Sequence, residues 1–169
     1  MRGYGRTDRP EAIDEYTLFH LVGDMVGLLD TLGTEQAVIA GHDWGAHFAN
    51  PESLPSWLSE ADVDFYADEF ARAGFRGGLN WYRNIDRNWE LLAAFAGARV
   101  TVPALYIAGD RDPVVKFPGM DRLNPNLANF VPQLRATIML PGCGHWTQQE
   151  RAAEVNAAMI DFLRDLRSP

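Results

Sequence analysis

The first part of the chain carries the spacing of an amphipathic helix followed by that of a buried strand. Between Thr17 and Leu32, apolar residues recur every three or four positions, which places them on one helix face, and Gly33 provides a stop. Residues 37–40 form a continuous apolar run that predicts a strand buried on both faces. Because residues 41–46 are rich in small side chains, we expect this strand to turn sharply into a helix.

Two helices are predicted in the middle of the chain. Ser59 and Asp62 have the spacing of a capping box, and Gly74 ends the apolar pattern that follows, which predicts a helix over residues 59–73. A further helix is predicted over residues 79–94. Its three large aromatic side chains indicate a lining or a lid as well as packing.

The last part of the chain predicts two more strands and a closing helix. Residues 102–108, with Pro103 at the entry, and residues 136–140 are short apolar runs of the kind that form strands. From residue 152 to 166 the apolar positions share one helix face. Strands that alternate with helices imply an α/β fold with a mostly parallel sheet of about three strands.

Composition and charge exclude several classes of protein. The 15 Lys and Arg residues against 23 Asp and Glu give a net charge of −8, whereas binding to nucleic acid needs a basic face. The longest apolar runs are far shorter than the roughly 20 residues that cross a membrane, and the first residues lack the apolar stretch of a signal peptide. A single cysteine, Cys143, excludes an internal disulfide. We therefore expect a cytoplasmic protein that binds neither nucleic acid nor membrane.

A candidate nucleophile follows the first predicted strand. In open α/β sheets, ligands bind beyond the carboxyl ends of the strands. Residues 41–45 are Gly-His-Asp-Trp-Gly, the spacing of a strained turn in which flanking glycines let the central side chain, here Asp43, project above the sheet. A carboxylate at this point can attack carbon directly and form an alkyl ester. Taken alone, the motif has a plainer alternative, a turn in which the aspartate caps a helix.

Two residues after the later strands have the chemistry to hydrolyse such an ester. Asp112 lies in the loop after residues 102–108, and His145 follows residues 136–140. A histidine oriented by a carboxylate makes water nucleophilic near neutral pH. Asp110 competes for the orienting role, and each residue alone has a structural alternative as a turn or loop residue. Their joint occurrence in the order nucleophile, acid, histidine favours a catalytic triad of the α/β-hydrolase type.

Five motifs together are specific to one family. They are R-G-Y-G-R at residues 2–6, G-H-D-W-G at 41–45, L-N-W-Y-R-N at 79–84, G-D-R-D at 109–112 and G-H-W-T-Q-Q-E at 144–150. With this set the chain resembles the epoxide hydrolases of the α/β-hydrolase fold over nearly all of its length. The resemblance implies a hydrolase acting on ether bonds, which opens an epoxide to a vicinal diol without a cofactor.

The same resemblance implies roles for individual residues. Asp43 would be the nucleophile, His145 the general base and Asp112 its orienting partner. Tyr82, on a cap helix over the site, would be one of two phenols that donate to the epoxide oxygen; its structural alternative is an aromatic packed between helices.

Two tryptophans would complete the site. Trp44 and Trp146 would line an apolar pocket suited to a lipophilic epoxide, and the backbone N–H of Trp44 would help to hold an oxyanion. The other histidines and Cys143 do not have the spacing of metal ligands, so no metal site is predicted.

The sequence departs from the family in ways that indicate a truncated, internally deleted form. Family members carry a His-Gly-x-Pro loop that supplies a second oxyanion donor, and this sequence contains no His-Gly pair. The second tyrosine would also lie in a missing segment. We expect residues 1–50 to be the N-terminal part of the hydrolase core, 51–95 a remnant of the helical cap and 96–169 the C-terminal part of the core. Together they would form one compact domain with a partial α/β-hydrolase fold.

These losses leave three functions open. Loss of one oxyanion donor would impair an epoxide hydrolase by on the order of 10²–10³ in rate. A haloalkane dehalogenase-like hydrolase shares the Asp-Trp turn but needs donors suited to a halide, and Tyr82 favours the epoxide. The third alternative is a non-catalytic remnant or interaction protein. An exposed sheet edge would also offer a route to a homo-oligomer.

Overall fold

The computed structural model describes residues 1–38 and 53–167. In chain order, its helices and strands are α1 (Leu18–Leu32), α2 (Glu60–Ala73), α3 (Arg76–Arg83), α4 (Ile85–Leu92), β1 (Ala104–Gly109), α5 (Met120–Leu123), α6 (Leu127–Phe130), β2 (Leu134–Leu140), α7 (Thr147–Glu150) and α8 (Ala152–Asp165). Short 3₁₀ turns lie at Ile13–Tyr16, Ala93–Phe95, Pro113–Lys116 and Asn124–Asn126.

The described residues cluster into two compact units. One contains residues 1–38 and 59–96, and the other contains residues 53–58 and 97–167. The domain boundaries expected at residues 50 and 95 stay predictions.

The helix signals in the sequence are confirmed where they involve capping groups. The α1 helix ends at Gly33, which adopts the left-handed conformation (φ 63°) that glycine tolerates without strain. The α2 helix begins with the expected capping box, since Ser59 Oγ accepts from the N–H of Asp62 at 3.2 Å and Asp62 Oδ2 accepts from the N–H of Ser59 at 2.9 Å. The closing helix is also present, as α8.

The single helix expected over residues 79–94 is wrong, because the structure has two helices there, α3 and α4, with a break at Asn84. The side chain of Asn84 is buried, and its Nδ2 donates to the carbonyl oxygens of Ile13 at 2.6 Å and Asn80 at 2.8 Å. An asparagine that bonds backbone groups in this way competes with helical hydrogen bonding. A hydrophobic pattern does not reveal that competition.

The start of the chain packs closely against α3. Gly3 adopts a left-handed conformation (φ 88°), and a Cβ added to Gly77 would lie 2.2 Å from the Gly3 oxygen, so neither position accepts a side chain. Arg2 donates two hydrogen bonds to Asp24 of α1, at 2.7 and 2.6 Å. These bonds hold the pKa of Asp24 below its ordinary value. The R-G-Y-G-R motif therefore has a structural role in this unit.

The apolar face predicted for α1 is only partly buried. Leu21 is buried, but Val22, Val26 and Leu32 are each more than half exposed. None of the helices within residues 1–38 and 53–167 has both the length and the apolarity needed to cross a membrane.

Strands β1 and β2 form a parallel pair in the second unit. Their register runs from Ala104 opposite Leu134 to Gly109 opposite Leu140, with one irregularity near the start. About three strands were expected; the described residues contain two, and the third predicted strand, over residues 37–40, extends into the part of the chain that is not described. A small core of Leu140, Cys143 and Val155 joins the end of β2 to α8, with Ile107 and Ile138 packed against it.

Candidate active site

The loops that follow β1 and β2 bring a carboxylate and an imidazole together. Because the two strands are parallel and paired to their ends, the residues after Gly109 and Leu140 emerge side by side. Asp112 Oδ2 lies 2.9 Å from His145 Nδ1. The side chains are only 10% and 12% exposed, respectively, so little water screens the pair.

The orientation of Asp112 is fixed by a second hydrogen bond. Its other carboxylate oxygen, Oδ1, accepts from the N–H of Val114 at 2.8 Å and so caps the 3₁₀ turn that follows. Asp110, the competing carboxylate in the sequence, is exposed and instead accepts from the N–H of Gly142 at 2.8 Å. The carboxylate that faces His145 is therefore Asp112.

The two loops fit together too closely for any residue but glycine at the end of β1. A Cβ added to Gly109 would lie 2.2 Å from the backbone oxygens of both Cys143 and Gly144. Next to this contact, the N–H of Arg111 donates to the Cys143 oxygen at 2.9 Å. Close backbone packing thus sets the separation of the loops that carry the Asp–His pair.

Cys143 lies in the loop that carries His145, residues 142–146, which we call the histidine loop, and is 1% exposed. Burial raises the pKa of its thiol to about 11, and the neighbouring charge of Glu150 adds to the effect. A protonated, buried thiol is a poor nucleophile. Cys143 therefore acts as a small apolar filler in the core with Leu140 and Val155.

The sequence pattern alone gives no role to Glu150, although the structure places it against the histidine loop. Its Oε2 accepts from the N–H of Gly144 at 2.8 Å, and its Oε1 accepts from the N–H of Trp146 at 3.2 Å. In the sequence, the only feature that points to a role for Glu150 is its position at the end of the motif at residues 144–150.

The remaining predicted residues fall in different parts of the chain. Trp146 is partly buried, and its ring meets that of His145 edge to face, with centroids 5.4 Å apart. Tyr82 lies on α3 in the first unit and is 46% exposed. Asp43 and Trp44 lie outside the described residues. Within the described ranges, no group of three or more His, Cys, Asp or Glu side chains is arranged to hold a metal ion.

A shielded carboxylate–imidazole pair at the carboxyl ends of parallel strands is an arrangement that hydrolytic sites use to activate water. The sequence profile of the alpha/beta hydrolase fold matches residues 1–50. Fold and site together define an α/β-hydrolase.

Comparison with known proteins identifies the family of α/β-hydrolases to which the chain belongs. Epoxide hydrolase A of Mycobacterium tuberculosis is 32% identical in an alignment covering 98% of this chain and 80% of that protein. Epoxide hydrolase 1 of Siraitia grosvenorii is 30% identical, covering 97% and 81%. Among solved structures, the epoxide hydrolase VrEH1 from Vigna radiata superposes with a TM-score of 0.88 at 31% identity, covering 98% of this chain and 80% of that one. The chain belongs to the epoxide hydrolase family, whose members are hydrolases acting on ether bonds.

The alignment also shows that the chain is shorter than its relatives over the matched region. Its match to Epoxide hydrolase A extends over 263 positions, 94 more than the 169 residues of this chain. At least that many aligned positions have no counterpart here. This confirms the expected internally deleted form.

Proposed function

We propose that this protein hydrolyses lipophilic epoxides to vicinal diols through an ester formed on Asp43. Water activated by His145, which Asp112 orients, then cleaves the ester. The observation that carries the proposal is the 2.9 Å hydrogen bond between Asp112 Oδ2 and His145 Nδ1 in a nearly buried setting.

In the first half of the reaction, a carboxylate oxygen of Asp43 attacks an epoxide carbon from the side opposite the ring oxygen. The ring C–O bond breaks, and its electron pair stays on the oxygen, which takes a proton from the Tyr82 hydroxyl. The result is an alkyl ester on Asp43 with a free hydroxyl on the neighbouring carbon. Support for these two roles comes from the motifs at residues 41–45 and 79–84.

In the second half, the hydrogen bond to Asp112 engages Nδ1 of His145, so Nε2 is the nitrogen that accepts a proton from water. The water oxygen attacks the ester carbonyl carbon of Asp43, and the backbone N–H of Trp44 stabilises the resulting oxyanion. The intermediate collapses, the diol oxygen leaves, and it takes the proton from His145. The second proton of water is released as the carboxyl group of Asp43 ionises, and it restores the Tyr82 phenol.

The proposed substrate class follows from the side chains near the base. The indole of Trp146 lies against the His145 ring, and Trp44 follows the nucleophile directly in sequence. One indole beside the proposed base, and a tryptophan adjacent in sequence to the proposed nucleophile, favour a substrate with an apolar body.

A single-turnover reaction in ¹⁸O-water tests the proposal. We expect mass analysis of the peptide that contains Asp43 to show an alkylated species, followed by ¹⁸O in the regenerated carboxylate. An Asp43→Asn variant should form no such ester, and a His145→Gln variant should accumulate it. An unmodified peptide in a folded sample would favour a non-catalytic remnant, whereas halide release from a haloalkane without diol formation would favour a dehalogenase.

The role of Tyr82 has a matched control on the neighbouring helix. Tyr82 and Tyr66 are similarly exposed, at 46% and 51%, and both lie in the first unit. We expect Tyr82→Phe to slow ester formation about 10- to 100-fold through loss of a donor to the developing alkoxide. Tyr66→Phe should leave that rate unchanged, and equal rates in both variants would exclude the proposed donor.

A further inference from the structure

The histidine loop is anchored on both sides of its catalytic side chain by one carboxylate. Glu150 accepts from the N–H groups of Gly144 and Trp146, the two residues that flank His145. We propose that Glu150 is a positioning residue for His145 and that it acts on ester hydrolysis rather than ester formation. This inference rests on the proposed function.

The two anchors of His145 restrain different parts of the residue. Asp112 holds the imidazole through Nδ1, whereas Glu150 holds the backbone on either side of the residue. With the backbone and one ring nitrogen both fixed, the direction in which Nε2 points is also fixed. Loss of the backbone anchor would let the loop move while the bond to Asp112 persists.

The fit between Glu150 and the loop is tight. A Cβ added to Gly144 would lie 2.9 Å from Glu150 Oε1, so a side chain at this position would displace the carboxylate from the loop. The adjacent Arg151 donates to Glu154, with Nη2 2.8 Å from Oε2, and to the Pro141 oxygen. The nearest cation in sequence therefore pairs with Glu154, while the carboxylate of Glu150 serves the loop N–H groups.

Substitution of Glu150 should change the rate of one chemical step. In Glu150→Gln, the amide oxygen can accept from one loop N–H, but the amide NH₂ would face the other, placing two donors together. We expect the decay of the alkyl-enzyme to slow about 10- to 100-fold, because small misplacements of a catalytic group have effects of this size. Ester formation by Asp43 should change less than about twofold, so the intermediate should accumulate.

Glu154→Gln provides a matched control. It removes an exposed carboxylate from α8, close in sequence to Glu150, and breaks the pair with Arg151 without touching the histidine loop. We expect both chemical steps to keep their wild-type rates in this variant.

The decisive measurement is a rapid-quench single turnover that follows formation and decay of the alkylated Asp43 peptide. The amplitude of ester formation gives the fraction of protein molecules with an intact site. If Glu150→Gln lowers this amplitude but leaves both rate constants unchanged, the role of Glu150 is purely structural and the proposal is overturned. Equal slowing of both steps would also overturn it. Glu150→Ala, which removes both acceptors, should slow decay at least as much as Glu150→Gln.

A second readout separates failure of this inference from failure of the proposed function. The Nδ1 proton of His145, bonded to Asp112, should give a far-downfield NMR signal in the wild type. We expect that signal to shift and broaden in Glu150→Gln and to stay unchanged in Glu154→Gln. If the wild type forms no alkyl-enzyme, the proposed function fails, and an unchanged signal in Glu150→Gln would then refute the positioning role on its own.

Discussion

Replacing Asp112 with asparagine tests the acid–base pair with little change in shape. In the wild type, Oδ1 accepts from the N–H of Val114 and Oδ2 faces His145 Nδ1. In Asp112→Asn, the amide oxygen keeps the bond to Val114, and the amide NH₂ takes the position of Oδ2. Because an NH₂ group can only donate, the favoured imidazole tautomer becomes the one with its proton on Nε2. That nitrogen can no longer accept a proton from water.

The size of the effect follows from this tautomer change. Where a triad carboxylate is exchanged for an amide with the geometry kept, the rate falls by about 10⁴. We expect the decay of the alkyl-enzyme to fall by about 10³ to 10⁴, which corresponds to roughly 4 to 5.5 kcal/mol of activation free energy. The free energy of unfolding should fall by no more than about 2 kcal/mol, because the two charge-assisted hydrogen bonds of the carboxylate become neutral ones.

The assay is single-turnover decay of the ester, with Asp110→Asn as the control. Asp110 is exposed and uses one oxygen to accept from the N–H of Gly142, a bond that an amide oxygen can keep. We expect that variant to differ from the wild type by less than about twofold. If Asp112→Asn cleaves the ester at the wild-type rate, the Asp–His pair is not the base and the reasoning is refuted.

Three further predictions concern stability and assembly. Gly109→Ala should lower the free energy of unfolding by more than about 4 kcal/mol, because the added Cβ would lie 2.2 Å from two backbone oxygens. Gly27→Ala, in the open middle of α1, should raise the free energy of unfolding by about 0.5 to 1 kcal/mol. Urea titration measures both changes, and a mild loss in Gly109→Ala would contradict the close packing. The raised pKa of the Cys143 thiol contributes stability that is present below pH 9 and is lost as pH rises towards about 11. The urea midpoint of the wild type should therefore drop across that range. The same drop in Cys143→Ala would show that ionisation of Cys143 is not its cause. The partly exposed apolar face of α1, together with the sheet edge expected from the sequence, favours pairing with a second copy. Light scattering should therefore give about twice 18.9 kDa, and a monomer at all concentrations would exclude such pairing.

The fold was predictable where one residue carries a strong local signal. The capping box at Ser59 and Asp62 and the left-handed stop at Gly33 depend on side-chain and backbone chemistry within a single turn, and both are present. Strands β1 and β2 were predictable because each contains a short, mostly apolar run. The break at Asn84 was not, since it depends on a bond to Ile13, 71 residues away in the sequence.

The residues of the candidate site also differ in how far the sequence could predict them. The order of the motifs and their places after strands predicted Asp112 and His145 as partners, and the structure brings these side chains within hydrogen-bond distance. Glu150 could not be assigned, because its acceptors serve backbone N–H groups, which every non-proline residue has. Sequence gives no indication of which backbone groups a carboxylate will meet.

The hydrogen bonds described for Asp112 and for the loop that carries His145 join residues 109–150, within a single compact unit. Insertions or deletions outside that stretch of the chain would leave these bonds themselves in place. Lineages that gain or shed such segments can therefore inherit the Asp112–His145 pair together with its supporting bonds.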